Sequence, residues 1–189
     1  MRKKTPKKFN PLPPNAKRVF KGIIYDVYQW EQKLFDGSST TFEMLSRPDA
    51  VRVLAIKDDK IVVLKQEQPD LGYFIDLPGG RHDIEREDEL QAAQRELLEE
   101  TGFSFKNWKL IQMEQLHFKI DQVMYLFLAT DFDKEVETHH DSGEKIKVEL
   151  MTLEEVKKLF DDPDTRYLPP LLKSVNSTQD ILDLPEVTG

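Results

Sequence analysis

Residues 77–103 read LPGGRHDIEREDELQAAQRELLEETGF, and they form the most informative segment of the chain. A β-forming segment stops at Pro78-Gly79-Gly80, and the apolar spacing that follows predicts a helix over residues 88–100. Gly102 is a typical residue for ending such a helix. At about 100° per residue, one face of the helix should turn to the core. This face consists of Leu90, Ala93 and Leu97.

Three carboxylates, Glu96, Glu99 and Glu100, lie together on a separate arc of the predicted helix. Two like charges about 4 Å apart repel by about 4 kcal/mol at an effective dielectric of 20. A solvated face tolerates such repulsion, whereas a cleft needs a cation. Oxygen ligands without cysteine favour Mg²⁺, with Mn²⁺ as the alternative. The glycines beside the acids would let the main chain approach a metal or phosphate closely.

The pattern resembles the Nudix box, which is Gly, five residues, Glu, seven residues, then Arg-Glu-U-x-Glu-Glu-x-Gly-U, where U is aliphatic or aromatic. The segment Arg95-Glu-Leu-Leu-Glu-Glu-Thr-Gly-Phe103 matches its second half in type and spacing. Six residues instead of five separate Gly80 from Glu87, which we interpret as a one-residue insertion in a loop.

The resemblance implies an α/β fold with a mixed sheet, the Nudix α/β/α sandwich. It also implies hydrolysis of a nucleoside diphosphate linked to another group. Arg95 would orient the glutamates, and Glu87 would either support the site or only favour the start of the helix. A carboxylate would remove the proton of the attacking water, with Glu99 and Glu100 in catalytic positions. The implied metal ligands are Glu96, Glu99, Glu100 and the carbonyl of Gly79.

Sequence upstream of the box resembles the ADP-ribose and nucleotide-sugar pyrophosphatase branch, which carries an extra N-terminal β segment. The similarity covers roughly residues 19–160, and it departs from the branch at three points. Gln68 stands where an Arg is usual, Asp76 where a Glu is common, and a Ser-Pro-Gly segment after the box is missing. That branch often takes a catalytic Glu from a later loop, and Glu144 is our candidate general base.

Four substrate contacts are predicted. Arg52 and Lys65 are candidates for phosphate binding, Gly80 for a main-chain contact, and Trp30 for stacking on a base. The adjacent His139 and His140 could bind metal or phosphate, but surface positions are the plainer interpretation.

The leading hypothesis is hydrolysis of ADP-ribose or a related nucleotide sugar to a nucleoside monophosphate and a sugar phosphate. One alternative is a nucleoside triphosphate or dinucleotide polyphosphate pyrophosphatase. Another is a Nudix-fold regulator that binds nucleotides without hydrolysing them. Product identity separates the two enzymes, and regulators of this kind usually lose box glutamates that this chain keeps.

Composition limits the class of protein. The chain has 189 residues, no cysteine and a net charge of −8, and residues 1–18 hold seven Lys or Arg and no acid. We expect a cytoplasmic protein without a membrane span, and nucleic acid is an unlikely partner because the body is acidic. We predict a basic, Pro-rich flexible arm (1–16), an antiparallel β extension (17–47) that joins two subunits into a homodimer, and a Nudix hydrolase domain (48–189).

The remaining elements are predicted from β-forming runs and caps. We expect a hairpin from residues 51–56 and 61–64, a strand at 73–77, and two β-rich segments at 108–118 and 123–130. An acidic loop is predicted at 131–145, a strand at 146–151, a helix from Thr152 to about residue 160, and a short helix at Pro169-Pro170.

Overall fold

The computed structural model describes residues 4–138, 143 and 145–188. Three α-helices are present in this part of the chain: α1 (Glu89–Thr101), α2 (Leu153–Lys158) and α3 (Thr178–Leu182). Short 3-10 turns span Leu159–Asp161 and Pro170–Lys173. The strands are β1 (Lys17–Lys21), β2 (Asp26–Lys33), β3 (Ser39–Ser46), β4 (Asp49–Lys57), β5 (Lys60–Gln68), β6 (Gly72–Asp76), β7 (Arg81–His82), β8 (Phe103–Glu114), β9 (Ile120–Asp121), β10 (Met124–Glu135), β11 (Lys145–Met151) and β12 (Thr165–Tyr167).

The N-terminal strands form a sheet of their own, in the order β1-β2-β3-β9. β1, β2 and β3 are antiparallel, and β9 joins β3 in parallel through Leu45 and Ile120. All five residues of β1 are exposed, and its hairpin to β2 presents Phe20 at 60% and Ile23 at 100% exposure. This sheet therefore leaves apolar surface unburied.

The central sheet has the order β12-β6-β5-β4-β10-β8, with β11 on the other side of β5 and β7 beside β4. β4 and β5 form the predicted hairpin around Asp58 and Asp59, both with positive φ. β4 and β5 pair only next to this turn, where Ile56 pairs with Ile61 and Lys57 with Lys60. Farther along, β5 pairs with β6 and β4 with β10. The divergence of β4 and β5 opens the cleft described below.

Apolar side chains cover both faces of the central sheet. Along β4, Val51 and Val53 pack with Ala93 and Leu97 of α1, whereas Leu54 packs on the opposite side with residues of α2 and the C-terminal segments. The alternation follows from the period of two in a strand. The result is a mixed α/β architecture in which helices lie on both sides of a sheet, as predicted.

Among the predicted strands, β10 and β8 show the largest differences in their boundaries. β10 continues to Glu135, so the loop expected from residue 131 was wrong for its first five positions. The reason is Phe132, whose ring packs edge-on against Phe103 and Phe105 at centroid distances of 5.6 and 5.8 Å. β8 begins directly after α1 and ends at Glu114, earlier than residue 118. β12 and α3 were not predicted.

The N-terminal arm lies against the domain from residue 4 onward. Asn10 exchanges main-chain hydrogen bonds with the side chain of Gln115, and the Leu12 N–H donates to Asp121 at 3.0 Å. The Tyr125 hydroxyl donates to the carbonyl of Lys4. None of the helices in the described chain is long and apolar enough to cross a membrane.

Candidate active site

Helix α1 is fixed at both ends by its own sequence. Asp88 is the N-cap: its carboxylate accepts the Gln91 N–H, and the Gln91 side chain accepts the Asp88 N–H, both at 2.9 Å. At the other end Gly102 has φ 72°, and its N–H donates to the carbonyl of Leu98. This residue ends the helix at the predicted position, since the left-handed region favours glycine.

The Gly79-Gly80 loop runs directly beside β4. Gly79 has φ 146°, and a Cβ there would lie 2.2 Å from the carbonyl oxygen of Val51. A Cβ on Gly80 would lie 2.3 Å from Oε2 of Glu96. The Gly79 N–H donates to Oε2 of Glu100 at 2.7 Å. Both glycines are therefore needed for the loop to fit between the strand and the carboxylates of α1.

Arg95 links the acidic groups. Its guanidinium donates to both carboxylate oxygens of Glu87 at 2.8 and 3.0 Å, to Glu96 at 2.8 Å and to Glu99 at 3.2 Å. The hydrogen bonds to Glu87, followed by those to Glu96, raise the pKa of Arg95. Arg95 thus contacts Glu87, Glu96 and Glu99 at once, and its orienting role stays a prediction.

Glu87 reaches Arg95 although the loop before it is one residue longer than the box pattern. A turn closes there with a hydrogen bond from Glu87 N–H to the Ile84 carbonyl, and Arg86 takes a φ of 71°. Glu87 makes the ion pair with Arg95 and also directly precedes the N-cap Asp88, so both roles considered for Glu87 stay open.

The three carboxylates of α1 differ in environment. Glu99 is 59% exposed at its side chain, whereas Glu96 is only 15% exposed. Burial raises the pKa of Glu96, although the hydrogen bond from Arg95 lowers it. Burial also raises the pKa of Glu100, to about 8, against the opposing Gly79 hydrogen bond and the charge of Arg52. The hydrogen bonds from Arg95 to Glu96 and Glu99 therefore offset part of the repulsion on this face.

A cleft of about 580 Å³ lies where β4 and β5 diverge. Glu96, Glu99 and Glu100 line one side, together with Gly79 and Gly80. We call this side the acidic wall. The other lining residues include a set of arginines, here called the basic wall. It consists of Arg47, Arg52, Arg81 and Arg166.

Asp76 is a site residue that sequence reasoning noted only as a departure from the family. Its side chain is 2% exposed and accepts from Arg52 at 3.0 Å. Burial raises the pKa of Asp76, and the charge of Arg52 opposes that rise. Arg52 was predicted to bind phosphate; it does line the cleft, but one edge of its guanidinium is already occupied.

Lys65 and Trp30 are not among the described residues that line the cleft. Alternation along β5 turns Lys65 away from the side of Gln66, and its ammonium pairs with Glu149 at 2.8 Å. Trp30 lies in the N-terminal sheet, where its indole N–H donates to Gln32. Neither side chain is therefore placed in this cleft, and their contacts with substrate stay predictions. Glu144 and the His139-His140 pair lie outside the described residues.

The predicted metal ligands Glu96, Glu99 and Glu100 share one side of the cleft with Gly79, but they do not form a ready-made cage. In the described part of the chain, no three His, Cys, Asp or Glu side chains converge closely enough to hold a metal ion. The oxygens are occupied instead by Arg95 and by the Gly79 N–H. The donor set nevertheless suits a hard divalent cation, since every available ligand is an oxygen.

Sequence and structure comparisons agree with this geometry. A model of the NUDIX domain matches residues 46–172. The chain belongs to the Nudix family and is a Nudix pyrophosphohydrolase.

Its relatives include the ADP-ribose pyrophosphatase of Bacillus subtilis (strain 168), at 31% identity over 150 residues, which covers 76% of this chain and 80% of that protein. The methanol dehydrogenase activator of Bacillus methanolicus is 27% identical over 157 residues, covering 77% of this chain and 84% of that protein. A crystal structure of an ADP compounds hydrolase superimposes with a TM-score of 0.67 at 22% identity, over 82% of this chain and 85% of that one, and shows the shared fold.

Proposed function

We propose that this protein hydrolyses the pyrophosphate bond of ADP-ribose or a related nucleotide sugar, giving AMP or another nucleoside monophosphate and a sugar phosphate. The observation that carries the proposal is a cleft lined by both the acidic and the basic wall, because a diphosphate is held by positive charge from a bound cation and from basic side chains. The similarity to the Bacillus subtilis ADP-ribose pyrophosphatase supports the choice of substrate.

A divalent cation, Mg²⁺ with Mn²⁺ as the alternative, fits the acidic wall in this proposal. Glu96, Glu99 and Glu100 would hold it, with the Gly79 carbonyl as a further ligand. Gly80 supports the fit, since its missing Cβ leaves room for the Glu96 carboxylate. Such an ion, when bound, neutralises pyrophosphate oxygens and lowers the pKa of a coordinated water.

The chain's own groups have separate tasks in this scheme. Arg95 holds Glu96 and Glu99 in place through its hydrogen bonds. Arg52, kept in position by Asp76, provides positive charge in the cleft that the glutamates also line. Glu144 keeps its predicted role as the base that removes a proton from the attacking water. A Glu144→Gln variant that retains full kcat would contradict that assignment.

The test is product analysis with a panel of nucleotides in Mg²⁺, in Mn²⁺ and after chelation with EDTA. The panel holds ADP-ribose, other nucleotide sugars, dinucleotide polyphosphates and nucleoside triphosphates. We expect fast release of AMP and ribose 5-phosphate from ADP-ribose, and none after chelation. Pyrophosphate from a triphosphate as the main product would support the first alternative, and binding without hydrolysis in either metal would support a regulator.

We also propose that the protein is a homodimer joined through its N-terminal sheet. Support comes from β1, an edge strand whose five residues are all exposed, and from the exposed Phe20 and Ile23 in its hairpin. An edge strand with apolar side chains favours pairing with a second chain. Light scattering should give a dimer for the native chain and a monomer for Phe20→Asp. The control Leu71→Asp changes an apolar residue that is 48% exposed outside this sheet.

A further inference from the structure

The basic wall contains one guanidinium that comes from the C-terminal part of the chain. Arg166 lies in the middle of the three-residue strand β12, which runs parallel to β6. The Ile75 N–H donates to the Asp164 carbonyl at 2.8 Å and so fixes the entry to β12. This pairing brings Arg166 to the same cleft as the glutamates of α1, far away in sequence.

The charge of Arg166 is not neutralised by an ion pair with any described residue. Its guanidinium carbon lies 5.4 Å from the centroid of the Phe74 ring, another residue of the cleft. The charge of Arg166 lowers the pKa of Asp76, but the Asp76 carboxylate accepts its hydrogen bond from Arg52, at 3.0 Å. A guanidinium that lies over an aromatic ring keeps donors at its edge, in a fork that matches a phosphate group.

Two other arginines of the basic wall are less available to a ligand. Arg52 is paired with Asp76, and Arg81 with Asp83 at 3.4 Å. At the end of β5, Gln68 lines the cleft with a neutral amide. Of Arg52, Arg81 and Arg166, only the Arg166 of β12 therefore makes no ion pair with a described residue.

Strand β12 is tied to the far side of the sheet by Tyr167. Its hydroxyl donates a hydrogen bond to Glu114 at the end of β8. The Tyr167 side chain is half-buried, and β12 is otherwise joined only to β6 within the described sheets. Because Tyr167 directly follows Arg166, this hydrogen bond restricts the positions that the Arg166 guanidinium can adopt.

We propose that Arg166 binds a phosphate of the substrate's diphosphate, and that Tyr167 positions it by holding β12 to Glu114. Arg166 is thus a binding residue and Tyr167 a positioning residue. The inference rests on the proposed function in one respect, namely that the ligand of the cleft is a nucleoside diphosphate.

The first experiment measures binding of α,β-methylene ADP in Mg²⁺ by calorimetry, because this probe is not cleaved between its phosphates. Arg166→Ala should weaken binding by about 10- to 100-fold, the range for a lost hydrogen bond to a charged group. The affinity of Arg166→Lys for the probe should lie between that of the native protein and that of Arg166→Ala. Lys173→Ala is the matched control: it removes a cation 4.5 Å from the Phe160 ring, outside the cleft, and should bind like the native protein.

The second experiment tests the positioning role through a double-mutant cycle. Tyr167→Phe should weaken binding less than Arg166→Ala does, with kcat for any hydrolysed substrate nearly unchanged. The double variant should bind no more weakly than Arg166→Ala alone, since Tyr167 acts through Arg166. If Tyr167 had a merely structural role, the losses of affinity from Tyr167→Phe and Arg166→Ala would add in the double variant, and this would contradict the assignment.

The outcomes separate this inference from the proposed function. If ADP-ribose is not hydrolysed but Arg166→Ala weakens binding of the probe, the proposed substrate is wrong and the inference stands. If ADP-ribose is hydrolysed and Arg166→Ala keeps the native KM and affinity for the probe within twofold, the inference is overturned. Failure of the native protein to bind the probe would also overturn it.

Discussion

The two walls of the cleft are built in opposite ways. The acidic wall takes its three carboxylates from five consecutive positions of α1, between Glu96 and Glu100. The basic wall takes its four arginines from segments separated by up to 119 positions, between Arg47 and Arg166. One wall follows from the period of a helix, and the other exists only after the strand order β12-β6-β5-β4 of the central sheet has formed. Local sequence therefore encodes the acids, and topology brings the arginines together.

The walls also differ in how their charges are compensated. Arg95 serves two glutamates of the acidic wall from within the same helix, with Glu87 as its bidentate partner. In the basic wall, Arg52 depends on Asp76, a residue of another strand. We expect changes in the acidic wall to affect catalysis strongly and changes behind the basic wall to act mainly through folding and binding.

The largest effect should come from Glu100→Gln. The variant keeps the shape of the side chain but removes the charge that a divalent cation needs. Loss of one ligand charge should cost several kcal/mol of transition-state stabilisation, or about 10³-fold in kcat/KM. Steady-state hydrolysis of ADP-ribose in Mg²⁺ provides the measurement.

Glu89→Gln is the matched control for this prediction. Glu89 belongs to the first turn of the same helix and is not among the described residues that line the cleft. It should keep native kcat/KM. Equal losses in the two variants would mean that the activity depends on the charge of α1 as a whole, and the contrast between the walls would fail.

Gly80→Ala should have the next largest effect. Its Cβ would stand 2.3 Å from the Glu96 carboxylate, so the side chain or the loop must move. A displacement of about 1 Å in a catalytic arrangement can cost 10²-fold in rate. We expect a loss of about that size in kcat.

Gly37→Ala controls for the general cost of replacing a glycine. Gly37 has φ 87° in a turn with nothing near its added Cβ, so alanine should lower stability by about 1 kcal/mol without reducing kcat. Native activity in Gly80→Ala would show that Glu96 is not held where the acidic wall needs it.

Arg95→Lys examines the link between the acidic side chains. Lysine keeps the charge but cannot donate to Glu87 with two nitrogens while also reaching Glu96 and Glu99. Loss of an outer partner typically lowers metal affinity by about 10-fold or more. Calorimetric titration with Mn²⁺ should show this weakening, and Arg18→Lys, which changes a surface pair with Asp26, should not.

The same contrast explains how much could be predicted from sequence. Helix α1, its glycine end and the β4–β5 hairpin were predicted because their signals are local. The position of Lys65 outside this cleft could not be predicted, because β5 alone does not show which of its faces borders the cleft. Arg166 was missed because β12 has only three residues and is defined by its pairing with β6. A prediction of the basic wall needs the order of the strands, which no single motif contains.

The smallest effect, on stability rather than catalysis, should come from Asp76→Asn. The pKa of Asp76 is raised in the folded protein, so the folded state retains a proton at pH values where the unfolded state has lost it. Its contribution to stability therefore falls as pH rises above about 3.8, the value for the unfolded chain. Asparagine at position 76 does not titrate, so its contribution to stability does not decrease as pH rises.

Urea unfolding from pH 4 to pH 8, followed for both proteins, checks this prediction. The free energy of unfolding of the native protein minus that of Asp76→Asn should decrease as pH rises, because only the native protein pays to bury a charge at position 76. A difference that instead increases with pH would mean that Arg52 more than compensates the burial of Asp76. In that case the Arg52–Asp76 pair would be as well compensated as the Arg95 network, and the contrast between the walls would reduce to their positions in the sequence.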